Sequence, residues 1–311
     1  LSCSSSQSYI EEFFIENELN KYKKLSYKVI YYHIQNNPKQ YIGLTHEWFK
    51  HGFITLLSSN SKISERDILL TLTKIRLNDS FSRLGDIFGV SESYSCRIFS
   101  KTINLIVSYF KEFIYWPNKD TIIKLLPIPF RYRYSNVQAI IDCLEIEIPK
   151  PSDPVQQSLT WSDYKKCNTL KYLISCTPDG FINFISEGFG GRCSDVLLVE
   201  KCGFLDLVPE NSYVMADRGF KNIDHMLSLR KCKLVRPPSV SQSQISTKQE
   251  VLETKRIASL RIHIERVIGR LREFSTLKPH ALMHINLVSN VDEIIIIACA
   301  LINLQKPIIT Q

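Results

Sequence analysis

Hydrophobic and polar positions follow two different periods along this chain, and the change of period divides it. From Tyr41 to about Asn118 the apolar residues recur at helical spacing. In YIGLTHEWFKHGFITLL they are Trp48, Phe49, Phe53, Leu56 and Leu57. ISERDILLTLTKIRL follows, with Ser64 placed to cap, acids in the first turn and an amphipathic body. Next, a short helix from Phe81 to Phe88 stops at Gly89, and Ser91 is placed to cap a second helix from about Glu92. Helix, tight glycine turn and capped helix is the helix-turn-helix pattern, which small bundles without a DNA partner share. The second helix would present Ser93, Tyr94, Arg97 and Lys101 near its start, residue types that contact phosphates and base edges. Residues 1 to about 40 are Ser-rich, then charged and aromatic. They read as a helical arm or linker closed by the turn chemistry of Gln35 to Pro38.

From Asn136 the pattern becomes that of strands. NVQAIIDCLEIEI is a near-continuous apolar run, Val137, Ala139, Ile140, Ile141 and Leu144, interrupted by Asp142. Residues 119 to 135 before it read as a short helix and connector, with Pro127 and Pro129 marking the entry to a new domain. An extended excursion follows the first strand. Asn168 to Cys176 is a second strand, Thr177 to Gly180 a hairpin turn, and Phe181 to Glu187 a third strand. A Gly-rich loop, Gly188 to Ser194, leads into a helix from Asp195 to Cys202 capped near Ser194. Tyr213 to Ala216 is a fourth strand ending at Asp217, then comes a helix near Asp224 to Lys231, and Lys233 to Arg236 is a fifth strand. A polar linker from Pro237 to about Gln249 precedes a long helix from about Lys248 to Glu273. The order β-β-β-α-β-α-β-α, with an initial meander, predicts an α/β fold with a ribonuclease H-like mixed β-sheet, preceded by an all-α helix-turn-helix domain. The expected domains are an arm at 1–40, the helical domain at 41–118 and the α/β domain at 119–311.

Composition adds constraints. The 311 residues can bury a sizeable core, and a net charge of +8, from 39 Lys+Arg against 31 Asp+Glu, permits a polyanionic partner. Nine cysteines are scattered with no CxxC pair, which argues against a zinc ribbon, a thiol redox motif or a closed disulfide framework, and fits reduced intracellular thiols. His280 and His284 lie one helical turn apart with no acid between them, a weak basis for a metal site. The longest apolar run, Ile294 to Ile302, is too short to span a bilayer and reads as a buried helix, so no membrane partner is expected. The sequence starts at Leu1 rather than Met, as a fragment would, and shows no signal-peptide pattern.

Three carboxylates then stand out. Asp142 sits inside an apolar strand, where a charge is costly unless paired. Asp217 ends a strand directly before Arg-Gly, a place where turn-initiating aspartates are also common. Glu265 lies in the basic helix RIHIERVIGRLREF, flanked by Ile262, Ile264, Val267 and Ile268, with Gly269 expected to let that helix pack closely. Its plain alternative is an ion pair with Arg261 one turn back. Two strand-borne aspartates and a helix-borne glutamate suit Mg²⁺ or Mn²⁺, and two such ions could support in-line displacement at phosphorus. Arg261 and Arg266 of the same helix are candidates for DNA phosphate contacts.

At these residues the chain resembles a known family. IIDCLEIEIPKPS, TWSDYKKCNTLKYLISCTPDG, GGRCSD, VMADRGF and RIHIERVIGRLREF, in that order, resemble the DDE endonuclease domain of PIF/Harbinger-type transposases, closest to the animal branch often fused to a THAP zinc finger. The segment YIGLTHEWF and the helix-turn-helix resemble what precedes that domain in the same branch. The resemblance covers about residues 41 to 305. It implies a metal-dependent DNA endonuclease or transposase that hydrolyses phosphodiester bonds at transposon ends, with strand transfer as a further step. The alternative is a host-adopted DNA-binding protein that no longer transposes. It also implies that Asp142, Asp217 and Glu265 bind the metal, with Asp195 after the Gly-Gly-Arg loop as the alternative second ligand. Trp161, Tyr164, Lys165 and Asn168 match a family block read as structural or DNA-contacting. Implied with it are double-stranded DNA as partner, a homodimer or higher oligomer, and a nuclear location. No THAP finger can be built from these cysteines, so recognition of terminal repeats by a finger would need further sequence or an accessory DNA-binding protein.

Overall fold

The computed structural model describes residues 3–238 and 247–308. The chain divides into two compact units, Leu1–Ser108 and Tyr109–Gln311, upstream of the boundary expected at Asn118. Most of the polar linker expected from Pro237 to Gln249 lies outside the described residues.

The first unit is all helical. It comprises α1 (Cys3–Asn36), α2 (Pro38–Ile42), α3 (His46–Lys50), α4 (Phe53–Ser61), α5 (Glu65–Leu77), α6 (Phe81–Phe88) and the first part of α7 (Glu92–Lys111). The N-terminal segment is helical: α1 packs on α2 and α6, and its Ile30 and Ile34 are buried. The apolar residues at helical spacing from Trp48 to Leu57 fall on two short helices separated at Gly52, and Trp48 and Leu56 are exposed. Helix α5 starts where Ser64 predicts, with the Ser64 hydroxyl accepting from the Asp67 N–H. It is buried from Asp67 to Arg76 and so is enclosed rather than amphipathic.

Gly89 ends α6 in the left-handed region, at φ 67°, and a Cβ there would stand 2.2 Å from the Lys23 carbonyl oxygen of α1. Gly52 has a similar φ of 76° but open space around it. Gly52→Ala is therefore expected to cost only the left-handed penalty of roughly 1–2 kcal/mol. Gly89→Ala must also displace backbone, so its fall in melting temperature is expected to be clearly the larger of the two in a parallel thermal scan.

The second unit is a sheet covered on both faces. After α8 (Lys119–Lys124) and α9 (Ile128–Arg131) come β1 (Val137–Glu147), α10 (Pro154–Thr160), β2 (Trp161–Ser162), β3 (Cys167–Cys176), β4 (Ile182–Ile185) and β5 (Phe189–Gly190). Then follow α11 (Asp195–Lys201), α12 (Phe204–Leu207), β6 (Tyr213–Met215), α13 (Asp224–Leu229), β7 (Lys233–Val235), α14 (Lys248–Leu271) and α15 (Val291–Asn303). The strand order is β2-β3-β1-β6-β7, with β4 and β5 also paired to β3. β1 runs antiparallel to β3 and parallel to β6, and β6 is parallel to β7. This mixed sheet has the ribonuclease H-like organisation expected. The excursion after β1, read as extended, holds α10, started by the Asp153 cap and Pro154.

Side chains alternate along β1. Ala139 and Ile141 join Leu198, Val199, Phe204, Phe220 and Leu227 in the core beneath α11, α12 and α13. The opposite face, that of Ile140 and Asp142, is the one α14 packs against. The stretch Ile285–Asn303 is long and apolar enough to cross a membrane by composition. It is nonetheless a core element, a 3-10 turn followed by α15, with Ile294, Ile295, Ile297 and Leu301 fully buried.

Candidate active site

Strand register positions the two aspartates. Ile140 of β1 is the partner of Met215 at the end of β6, and the strands are parallel. Continuing that register by two residues sets Asp142, in the middle of β1, beside Asp217, just past the carboxyl end of β6. The third acid comes from α14. A capping box between Thr247 and Glu250 starts that helix. Its stripe of Ile257, Leu260, Ile264, Val267, Ile268 and Leu271 is buried, leaving Glu265 and Arg266 exposed. A Cβ added at Gly269 would meet nothing within 4 Å, so close helix packing is not the role of that glycine, and Ile262 is 40 % exposed.

Arg261, one turn before Glu265, turns inward. Its Nη2 lies 3.8 Å from Asp142 Oδ2 and its Nη1 donates to Asp217 Oδ1 at 3.3 Å. The Arg261–Glu265 pair allowed by the sequence does not form. Among the described residues Glu265 has no hydrogen bond or ion pair, yet its charge reaches Asp142. Burial pushes the Asp142 carboxyl above its ordinary value. The Cys143 N–H and Arg261 oppose that shift, while Asp217 and Glu265 add to it. Asp142 is thus within the electrostatic reach of both other acids.

The direction of that shift carries a stability consequence. Folding favours protonated Asp142, so the associated stability is full below an unfolded carboxyl value of about 3.9 and is lost as pH rises through the raised folded value. Asp142→Asn is therefore expected to melt above wild type at pH 7, with the gap closing toward pH 3 in a thermal scan across pH.

Asp195 belongs to the other face of β1. The Ser194 hydroxyl caps α11 by accepting from the Leu197 N–H. Asp195 Oδ1 accepts from the Cys143 thiol at 3.3 Å and from Lys171 Nζ at 3.4 Å. Lys171 also reaches Glu145 Oε1 at 3.6 Å and donates to the Cys193 carbonyl at 2.9 Å. Sequence reading missed this hub. Its signal was a lysine in an otherwise apolar strand, NTLKYLISC, opposite a strand carrying alternate acids.

The helix-turn-helix residues divide. The Ser91 hydroxyl accepts from the Tyr94 N–H, as a cap should. Ser93, Arg97 and Lys101 lie on the first turns of α7, and all three are exposed. Tyr94 is half-buried, with its hydroxyl shared between both oxygens of Asp67 and its ring beside the Arg66 and Arg97 guanidinium groups. In the block after α10, Asn168 is structural, donating to the Gln157 carbonyl and the Thr160 hydroxyl, whereas Tyr164 is exposed with Lys165 over its ring.

The all-oxygen, acidic donor set of Asp142, Asp217 and Glu265 fits a hard divalent cation. Among the described residues no three His, Cys, Asp or Glu side chains are gathered closely enough to grip an ion as they stand, and Arg261 is the cation paired with the two aspartates.

This fold, with acids in the middle of β1, just after β6 and on α14, is that of a DDE-type nuclease domain, and the family comparison agrees. Residues 141–303 match the model of the DDE superfamily endonuclease, and residues 64–112 match the helix-turn-helix of DDE superfamily endonuclease. The chain belongs to the DDE superfamily endonuclease family, whose model covers just over half of it. Its relatives include the protein named "Putative nuclease HARBI1". The Rattus norvegicus protein is 22 % identical over 191 residues, 59 % of this chain and 54 % of the relative. The Mus musculus and Bos taurus proteins are 21 % and 20 % identical over the same shares. The chain thus spans about half the length of the curated relatives it matches. No solved structure matches it significantly.

Proposed function

We propose that this chain is a divalent-metal-dependent DNA endonuclease of the PIF/Harbinger transposase type. Its reaction is hydrolysis of phosphodiester bonds at transposon ends, with strand transfer as a second step, carried out in the nucleus by a homodimer or larger assembly. The observation that supports the reading is the register of β1 and β6, which sets Asp142 beside Asp217, with Arg261 of α14, one turn before Glu265, reaching both. Asp142, Asp217 and Glu265 would hold Mg²⁺ or Mn²⁺. Bound there, two such ions supply a nucleophile at neutral pH and offset charge on the leaving oxygen.

The rest is done by side chains of this chain. The exposed Arg266, next to Glu265, is available to a DNA phosphate. Ser93, Arg97 and Lys101 form the start of the helix-turn-helix recognition helix and bind duplex DNA, with phosphate contacts supplying most of the affinity. Recognition of terminal repeats by a finger would come from further sequence or from an accessory DNA-binding protein.

The test is nicking of a labelled duplex in Mg²⁺ or Mn²⁺ against an EDTA control, together with duplex binding over a salt series. Metal-dependent nicking and an affinity falling steeply with salt are the expected results. Retained binding without nicking, on cognate ends, would overturn the nuclease reading in favour of an adopted DNA-binding protein.

A further inference from the structure

Arg261 is unlike the other arginines of its helix. Arg256 and Arg266 are exposed, whereas the Arg261 side chain is 11 % exposed and faces Asp142 and Asp217. Its Nε is buried with no hydrogen-bond partner. An arginine held inward for structural reasons would be locked in a two-pronged carboxylate pair, with bonds of about 2.7–2.9 Å. Here the contact to Asp217 is 3.3 Å and that to Asp142 is 3.8 Å, beyond hydrogen-bonding range. The guanidinium is drawn in by charge and is poorly satisfied by bonds. Two carboxylates, Asp142 and Asp217, share this one buried cation, so one positive charge stands against two acids with Arg261 in place.

We propose that Arg261 is an exchangeable counter-ion of the acid site. Without metal it holds the two aspartates together. A divalent cation displaces it, and the freed guanidinium becomes a donor for a DNA phosphate. The inference rests on the reading of the three acids as metal ligands. Its physical basis is competition. Two carboxylates engaged by a guanidinium are less available to a metal ion, and reciprocity requires that metal weaken the arginine's hold by the same factor. The exchange also explains how a helix can carry a cation among the acids of a metal site: that cation neutralises their repulsion while the site waits for its ion.

The experiment is Mn²⁺ binding to the full chain, read from the electron paramagnetic resonance of free Mn²⁺, for wild type, Arg261→Gln, Arg261→Lys and Asp142→Asn. Arg261→Gln removes the competing charge, so Mn²⁺ is expected to bind roughly 5-fold or more tightly, the lower end of typical coupling between sites. Arg261→Lys keeps the charge but cannot span both aspartates, so an intermediate affinity is expected. A merely structural role would lower the melting temperature of both variants without tightening Mn²⁺ binding. Unchanged or weaker binding by Arg261→Gln overturns the proposal. Should that variant not fold, as judged by circular dichroism, Arg261→Lys decides in its place, and unchanged or weaker binding by it overturns the proposal equally. Failure of the underlying reading is distinct: Asp142→Asn would then bind Mn²⁺ as wild type does, whatever Arg261 does.

Discussion

Asp142→Asn is expected to reduce metal-dependent nicking by roughly 10³-fold or more, the scale of loss when a group that stabilises developing charge is removed. It is also expected to leave duplex affinity essentially unchanged. Asp142 projects from the middle of the sheet onto the face shared with Arg261 and Glu265, and it is more enclosed than Asp217, with a side chain 26 % exposed against 52 %. Asparagine keeps the shape and can still accept from the Cys143 N–H, so the backbone is spared. What disappears is a negative oxygen donor. The same substitution is expected to raise stability at pH 7, and that combination separates a lost function from a lost fold. Nicking measured alongside a melting curve decides the matter. Unaltered nicking by a well-folded variant would remove Asp142 from the chemistry.

Lys171→Met is the second large effect, and it falls on the fold. Lys171 and Glu145 are register partners across β1 and β3, each with a side chain 11 % exposed, and Asp195 at the start of α11 completes the cluster. Removing the cation leaves the largely enclosed Glu145 carboxylate without its counter-charge, a situation that costs about 3–5 kcal/mol, while Asp195 keeps more access to water. The loss is expected as a lower midpoint in urea unfolding followed by fluorescence. Burial alone would lower the Lys171 pKa, but Asp195 and Glu145 outweigh it and the net shift is upward. The ammonium's contribution is therefore full below its unfolded value of about 10.4 and is lost as pH rises through the higher folded value. Wild type is expected to lose stability in that alkaline window, and Lys171→Met to lose much less. A midpoint unchanged by the substitution would mean the cluster is solvated.

The two halves of the molecule differ in how far their sequence reveals them. Local chemistry was sufficient where an element is defined by its own residues. Ser64, Ser91 and Ser194 start α5, α7 and α11 as their types predict, because a cap is a contact within one turn. The apolar runs at Val137 to Leu144 and Tyr213 to Met215 are strands for the same reason, and the acids at Asp142 and Asp217 are visible as interruptions of those runs. The motifs around these acids were enough to place the chain in its family.

Tertiary structure decided what depends on residues far apart in the chain. Helix α5 reads as amphipathic because periodicity describes one helix and not what covers it, and only the packed unit shows it buried all round. The neighbourhood of Asp142 and Asp217 follows from a parallel register between strands some seventy residues apart, which no local pattern encodes. Glu145, Lys171 and Asp195 form a cluster only once β3 turns back against β1 and the loop after β5 closes over them. Arg261 looked like one more arginine on a basic helix. Which way it faces was fixed by two aspartates from other strands, since a charge on a helix turns toward whichever opposite charge the fold brings within reach.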